Sequence, residues 1–107
     1  MVNEMIVIGG LTMREGVNME EYNTLLAKMY KIVGTLPGFQ SVKKYKADDG
    51  EIISVYRFDS EESLEAWRTH PEHVEAMKRG HADFYASGFL QICKVIRESR
   101  VNPPQGQ

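Results

Sequence analysis

The chain has 107 residues, 42% hydrophobic and 26% charged, with a net charge of -2, which is the size of one domain with an ordinary globular makeup and offers no electrostatic footing for nucleic acid or an anionic membrane. Its single cysteine excludes an intramolecular disulfide and a thiolate cluster. No segment has the apolar length of a membrane span, and the acidic flank of the first apolar run lacks a signal-peptide pattern, so a cytoplasmic enzyme or binding protein is expected.

Residues 5–11, Met-Ile-Val-Ile-Gly-Gly-Leu, are too few for a typical helix and rich in branched side chains, which predicts a strand buried on both faces. Gly9 and Gly10 allow a bulge or the close approach of a ligand. Asn18 then precedes Met19, Glu20 and Glu21, an N-cap with glutamate at the third helical position. Tyr22, Leu25, Leu26, Met29, Ile32, Val33 and Leu36 follow at the spacing of one helical face, and Leu36-Pro37-Gly38 ends it. Alternation over residues 39–47 sets Phe39, Ser41, Lys43 and Tyr45 on one face of a second strand and Val42 on the other. Asp48-Asp49-Gly50 is a turn, and residues 51–58 complete an antiparallel hairpin. Ser60 caps a second helix, with Glu61 and Glu62 opposing its dipole and Leu64 and Trp67 as its apolar stripe.

His70-Pro71 breaks or restarts that helix, because proline is best tolerated in a first turn. The restarted helix is expected to run to about Arg79 and to end at Gly80. The last strand is expected over residues 89–96, apolar on both faces, with Cys93 as a small core hydrophobe. Residues 1–100 thus form one domain. Residues 101–107, with Pro103-Pro104, read as a tail that is flexible or latches onto a partner. The element order is the ferredoxin-like α+β arrangement βαββαβ, an antiparallel sheet with helices on one face. Both faces carry apolar side chains, so a homodimer joined through the open sheet face is expected.

Trp67, His70 and His73 lie within about two helical turns of one another, a large aromatic ring and two titratable ones around one patch. Trp67 reads either as core beside Leu64 or as the wall of a ligand pocket. His70 reads as the residue entering the Pro71 helix, with its ring in solvent. His73, one turn before Met77, has the ordinary affinity for a proton that suits a general base. His81 and Tyr85 are a polar pair at a pocket mouth, or else cap a helix end. Tyr22, Tyr30 and Tyr56 are expected to pack on helix or sheet, with a hydroxyl available from Tyr22. The spacing His-x-x-His across a proline, with no acid or cysteine beside it, argues against a metal site. Gly9-Gly10 lacks the helix that a phosphate loop requires.

Trp67-Arg68-Thr69-His70-Pro71-Glu72-His73, followed by Gly80-His81-Ala82-Asp83-Phe84-Tyr85 and Gln91-Ile92-Cys93-Lys94-Val95, resembles the antibiotic biosynthesis monooxygenase family. The resemblance covers residues 5–97 and implies a dimeric α/β barrel. Characterised members of that family oxidise aromatic polyketides or quinol-like compounds with molecular oxygen and no metal or flavin, or bind and degrade haem. Their pocket lies between sheet and helices with a tryptophan of the second helix on its wall, the position of Trp67. Where the aromatic oxidisers have an asparagine and a tyrosine, this chain has Ser63 and His73. Where the haem degraders have an asparagine and an axial histidine, it has Gly9 and Met77. The resemblance implies an oxygenase-like enzyme, a monooxygenase acting on a small aromatic or quinol-type substrate without a tightly bound cofactor. In this reading Trp67 and His73 are catalytic, and Trp67, His70, Met77, His81 and Tyr85 surround the substrate. The alternatives are a haem-binding enzyme with His73 as the axial ligand, and a non-catalytic dimer that binds a small hydrophobic molecule.

Overall fold

A computed structural model describes residues 3–101. In chain order it contains β1 (Met5–Met13), α1 (Met19–Val33), β2 (Phe39–Lys46), β3 (Ile52–Phe58), α2 (Glu61–Arg68), α3 (Pro71–Arg79), a π-helical turn (Gly80–Phe84) and β4 (Tyr85–Lys94). The strands form one antiparallel sheet in the order β2-β3-β1-β4, the ferredoxin-like topology. None of its helices is long and apolar enough to cross a membrane. The tail expected at the C-terminus lies, from residue 102 onward, outside the described residues.

Local chemistry sets the element ends. The Asn18 carboxamide oxygen accepts the Glu21 N–H at 3.0 Å and so satisfies one of the unpaired amides at the start of α1. Gly50 takes a positive φ of 95°, which lets the β2–β3 hairpin close with the Ala47 N–H on the Glu51 carbonyl at 2.8 Å. Ser60 caps α2 through a reciprocal box in which the partner is Ser63: each hydroxyl accepts the other's backbone N–H. The Ser63 hydroxyl also donates to the Asp59 carboxylate at 2.9 Å.

The core lies between the helices and one face of the sheet. Met5, Val7 and Phe58 meet Met29 and Val33 of α1, Leu64 and Trp67 of α2, and Ala76 of α3. Val33 and Phe58 are completely buried, and burial of such side chains stabilises the fold by about 1.5–3 kcal/mol each. On the other face, Ile6, Ile8, Val55 and Cys93 are only half-buried and Phe89 is exposed.

Four sequence expectations change. Phe39 pairs with Phe58 on the helix-facing side, whereas Ser41, Lys43 and Tyr45 pair with Arg57, Val55 and Ile53 on the open side, because the register shifts between Phe39 and Ser41. That irregularity moves Phe39 to the opposite face from the alternating run that follows it. Gly80 does not end the helix: its φ of -59° and ψ of -47° are helical, and the chain runs on into the π turn. β4 begins at Tyr85 and ends at Lys94, earlier at both ends than its apolar run implies. Cys93 pairs with Ile6 on the open face and is not a core residue.

Candidate functional site

α3 divides the predicted site residues into two groups. Trp67, His70 and His73 gather at its N-terminal end, where α2 turns into α3. His81 and Tyr85 lie beyond its C-terminal end in and after the π turn. At about 1.5 Å rise per residue, His73 and His81 stand on the order of 12 Å apart. Met77 lies between them, half-buried.

At the first end the geometry is specific. Trp67 is 6% exposed and belongs to the core. The His73 ring stacks on it with centroids 4.1 Å apart and planes 19° from parallel, and the His70 ring sits 6.1 Å away at a tilt. His73 Nδ1 lies 3.1 Å from the Trp67 carbonyl. A carbonyl only accepts, so Nδ1 carries the proton and Nε2 is left with a free lone pair. Burial pushes the His73 imidazole below its ordinary range, and His70 adds to this, against the opposing pull of the Trp67 and Arg68 backbone carbonyls. His73 is therefore held as a neutral base. His70 acts locally instead. Its Nδ1 accepts the Glu72 N–H at 3.1 Å as the N-cap of α3, with Pro71 in the first turn.

At the second end, the His81 ring meets Tyr85 edge-on at 5.6 Å, and Tyr85 meets Tyr22 of α1 at 6.4 Å. Tyr22 also packs against the buried Phe84 at 5.4 Å, and the Arg79 guanidinium lies 5.1 Å from the Phe84 ring centre. Arg79 bridges to Glu21 of α1 at 2.6 Å and to Asp83 at 2.5 Å, and Lys28 of α1 meets Glu72 at 3.0 Å, so α1 and α3 are pinned along their length. Arg14, just past β1, donates Nε to the Tyr85 carbonyl at 2.9 Å, Nη1 to Ala82 and Nη2 to His81, both at 2.7 Å. One guanidinium thus holds two carbonyls of the π turn and the first carbonyl of β4 together.

Among the described residues no cluster of three or more His, Cys, Asp or Glu is placed to hold a metal ion. An open depression of about 540 Å³ lies where β3 stops while β1 and β4 run on, lined among others by Leu11, Met13, Ile52 and Gly88. Of the residues singled out in the sequence it touches Gly10 but none of Trp67, His70, His73, Met77, His81 and Tyr85, and it is a notch at the end of the sheet. Sequence reasoning misses the meeting of Tyr22 with Tyr85; burial raises the proton affinity of Tyr22, Tyr30, Tyr56 and Tyr85, and Tyr22 adds to that of the other three. The trace of this burial in the sequence is slight: Tyr56 shares the strand alternation of Phe58, and Tyr22 and Tyr30 share α1.

The His73 shift has a consequence for stability. The folded state holds that proton less tightly than the unfolded chain, so the unfolded chain binds more protons just below pH ~6.5. This contribution is fully present above that pH and is lost as pH falls through the folded-state value. The melting temperature is expected to decline below pH ~6.5, and His73→Gln to flatten that part of the profile in a differential scanning measurement. An unchanged slope in the variant would assign the effect to other groups.

The sheet order, the broken second helix and the aromatic corner together define a ferredoxin-like α+β protein with an imidazole held against a buried indole. Residues 5–79 match the antibiotic biosynthesis monooxygenase family, and the chain belongs to that family. It is 31% identical over 77 residues to the uncharacterised protein YqjZ of Bacillus subtilis, covering 72% of this chain and 68% of that one. Among solved structures it is similar to SnoaB, a cofactor-independent oxygenase from Streptomyces nogalater, with a TM-score of 0.69, 10% identity, and coverage of 95% and 99% of the two chains. It is also similar to a dimeric ferredoxin-like protein of unknown function from Thermobifida fusca, with a TM-score of 0.67, 14% identity, and coverage of 86% and 91%.

Proposed function

We propose that the protein is an oxygenase acting on a small aromatic or quinol-type substrate without a tightly bound cofactor, as a homodimer joined through the open face of its sheet. Family membership supports monooxygenase chemistry. The observation that carries the base is the stacked, half-buried His73, whose Nδ1 is engaged and whose Nε2 is free and unprotonated. Nε2 removes a proton from a phenol or an activated C–H, and the resulting electron-rich anion reduces molecular oxygen. A C–O bond forms, and the hydroperoxide loses water to leave a carbonyl. One oxygen atom enters the product and the other leaves as water, so oxygen is the only oxidant required. Trp67 forms the wall beside the base, His70 and Met77 border the substrate, and His81 with Tyr85 orients its far oxygen. The half-buried Ile6, Ile8 and Val55 and the exposed Phe89 supply the apolar contact of the dimer.

The test is oxygen uptake with a panel of hydroquinones and anthrones, with the oligomeric state followed by light scattering. Removing a general base is expected to lower turnover by about 10²–10⁴-fold, so His73→Ala should lose that much while remaining folded at twice the chain mass. Full activity in the variant would remove His73 as the base, and a monomeric wild-type protein would remove the dimer. A second reading, a non-catalytic dimer that binds a small hydrophobic ligand, draws on the depth at which Trp67 is packed. It predicts saturable binding with no oxygen uptake from any compound in the panel.

A further inference from the structure

Past β4 the chain leaves the sheet as an arm. The Val95 N–H donates to the Glu4 carbonyl at 3.0 Å, one step beyond the last strand pair, Met5 with Lys94. After that bond residues 96–100 belong to no helix or strand, and Val101 sits in a bend. Ile96 and Val101 are 91% and 86% exposed, so the arm holds two aliphatic side chains in water. Its charges are two arginines and one glutamate. Arg100 pairs with Glu98 at 2.7 Å, whereas Arg97 meets no carboxylate among the described residues.

The notch at the opposite end of the sheet has the complementary character. Pairing of β1 with β3 stops at Gly10, whereas its pairing with β4 runs on to Met13. Among the described residues Thr12 and Met13 therefore have a strand on one side only, and both line the notch. A strand edge of this kind takes an extended segment as its partner. Leu11, Ile52 and Phe89 are exposed and line the same depression. Glu51 lines it too, next in the hairpin to Asp48 and Asp49. None of these three carboxylates has an ion-pair partner among the described residues. Arm and notch therefore match in three respects: aliphatic side chains, opposite charge, and an extended segment beside a free strand edge.

We propose that the arm of residues 95–101 docks in the notch of a second copy of the chain. The proposal rests on the reading that the chain is a homodimer joined through its open sheet face, and it adds an exchanged arm to that interface. The arm cannot serve its own notch. It leaves at the Met5 end of β1, and the notch lies at the Met13 end, about 26 Å away at ~3.3 Å per residue. Six extended residues past Val95 span only about 20 Å. A second copy removes the difficulty. A two-fold axis running across the strands, between two open faces, lays the Met5 end of one sheet over the Met13 end of the other. Packed sheets are ~10 Å apart, which the arm crosses with length to spare. Ile96 and Val101 then cover the apolar lining, Arg97 meets Glu51, and the arm's backbone pairs with the free edge at Thr12 and Met13. The two-fold makes this contact twice.

Two measurements on the full chain test this. The first is the dimer dissociation constant from analytical ultracentrifugation. The double variant Ile96→Asp, Val101→Asp alters only exposed side chains, so it should keep the wild-type circular dichroism spectrum. It is expected to weaken the dimer at least about 10-fold. The second measurement mixes two variants, one carrying Val101→Cys and the other Ile52→Cys, both in a Cys93→Ser background. After subunit exchange a short bismaleimide is expected to join the two different chains, and mass spectrometry of the linked peptides identifies the pair. One chain carrying both new thiols should cross-link to its neighbour and not within itself. An unchanged dissociation constant, absence of the mixed cross-link, or closure within a single chain would overturn the exchanged arm. Any of these results in a protein that still sediments at twice the chain mass leaves the open-face dimer standing. A wild-type protein that stays monomeric at every concentration removes both.

Discussion

Replacing Gly38 by alanine is expected to cost about 2–5 kcal/mol. Two effects add. Gly38 has a φ of +88°, and a side chain there costs roughly 1–2 kcal/mol. The new Cβ would also fall 2.4 Å from Asp59 Oδ1, 2.5 Å from Ser63 Cβ and 2.8 Å from Ser63 Oγ. Ser63 is buried and carries the reciprocal cap of α2, so it has little room to retreat, and forced overpacking costs about 1–3 kcal/mol more. The Gly38 carbonyl also accepts the Asp59 N–H at 2.8 Å, so a shift of this backbone pulls on the end of β3. Gly50 is the internal control: its φ is +95°, but among the described residues, chain neighbours aside, nothing lies within 4 Å of a Cβ placed there. Gly50→Ala should lose only the conformational part. Thermal unfolding followed by circular dichroism should place Gly38→Ala at least ~10 °C below wild type and well below Gly50→Ala. Equal losses in the two variants would show that the close approach to Ser63 contributes nothing.

Trp67→Ala is expected to cost about 3–5 kcal/mol and to release His73. The indole is buried among Met5, Phe58, Leu64 and Ala76, and its face carries the His73 ring, a contact worth roughly 0.5–1.5 kcal/mol beyond its area. A loss of that size approaches the whole stability of a small domain, so Trp67→Phe is the companion variant. It keeps an aromatic plate of smaller area and should fold. Removal of the indole opens His73 to water, and its proton affinity should climb back toward the ordinary histidine value because burial is the main cause of the depression. An NMR titration of the His73 ring in wild type and Trp67→Phe checks this. An unmoved His73 titration would mean that other neighbours provide the burial.

The architecture is readable in the sequence because its signals are local. Asn18, Ser60, Asp49-Gly50 and Pro71 each act within a turn of where they stand, and each does so here. What escapes depends on pairing across the chain. Alternation alone places Phe39 with Ser41, but the irregularity that separates them exists only opposite Phe58 and Arg57. Gly80 resembles a helix stop, yet its missing side chain serves the ring of Tyr85. At the site, the clustering of Trp67, His70 and His73 follows from spacing. The ring stack and the engaged Nδ1 do not, because they depend on the angle at which α3 leaves α2. Tyr22 and Tyr85 come from α1 and β4, and no linear pattern brings them together.

The Arg14 clamp makes one corner of the molecule a matter of chain closure. Its three carbonyl partners lie 71, 68 and 67 residues downstream, so the bonds form only when the first and last strands have met. Closing a loop of that length costs on the order of 4 kcal/mol of entropy, and contacts this distant in sequence slow folding. A nascent chain that ends at Gly80 contains every residue of the Trp67–His73 corner but neither His81 nor Tyr85. The two ends of α3 thus belong to different moments in the life of the polypeptide: the residues of one are all present before β4 is made, and the other waits for β4.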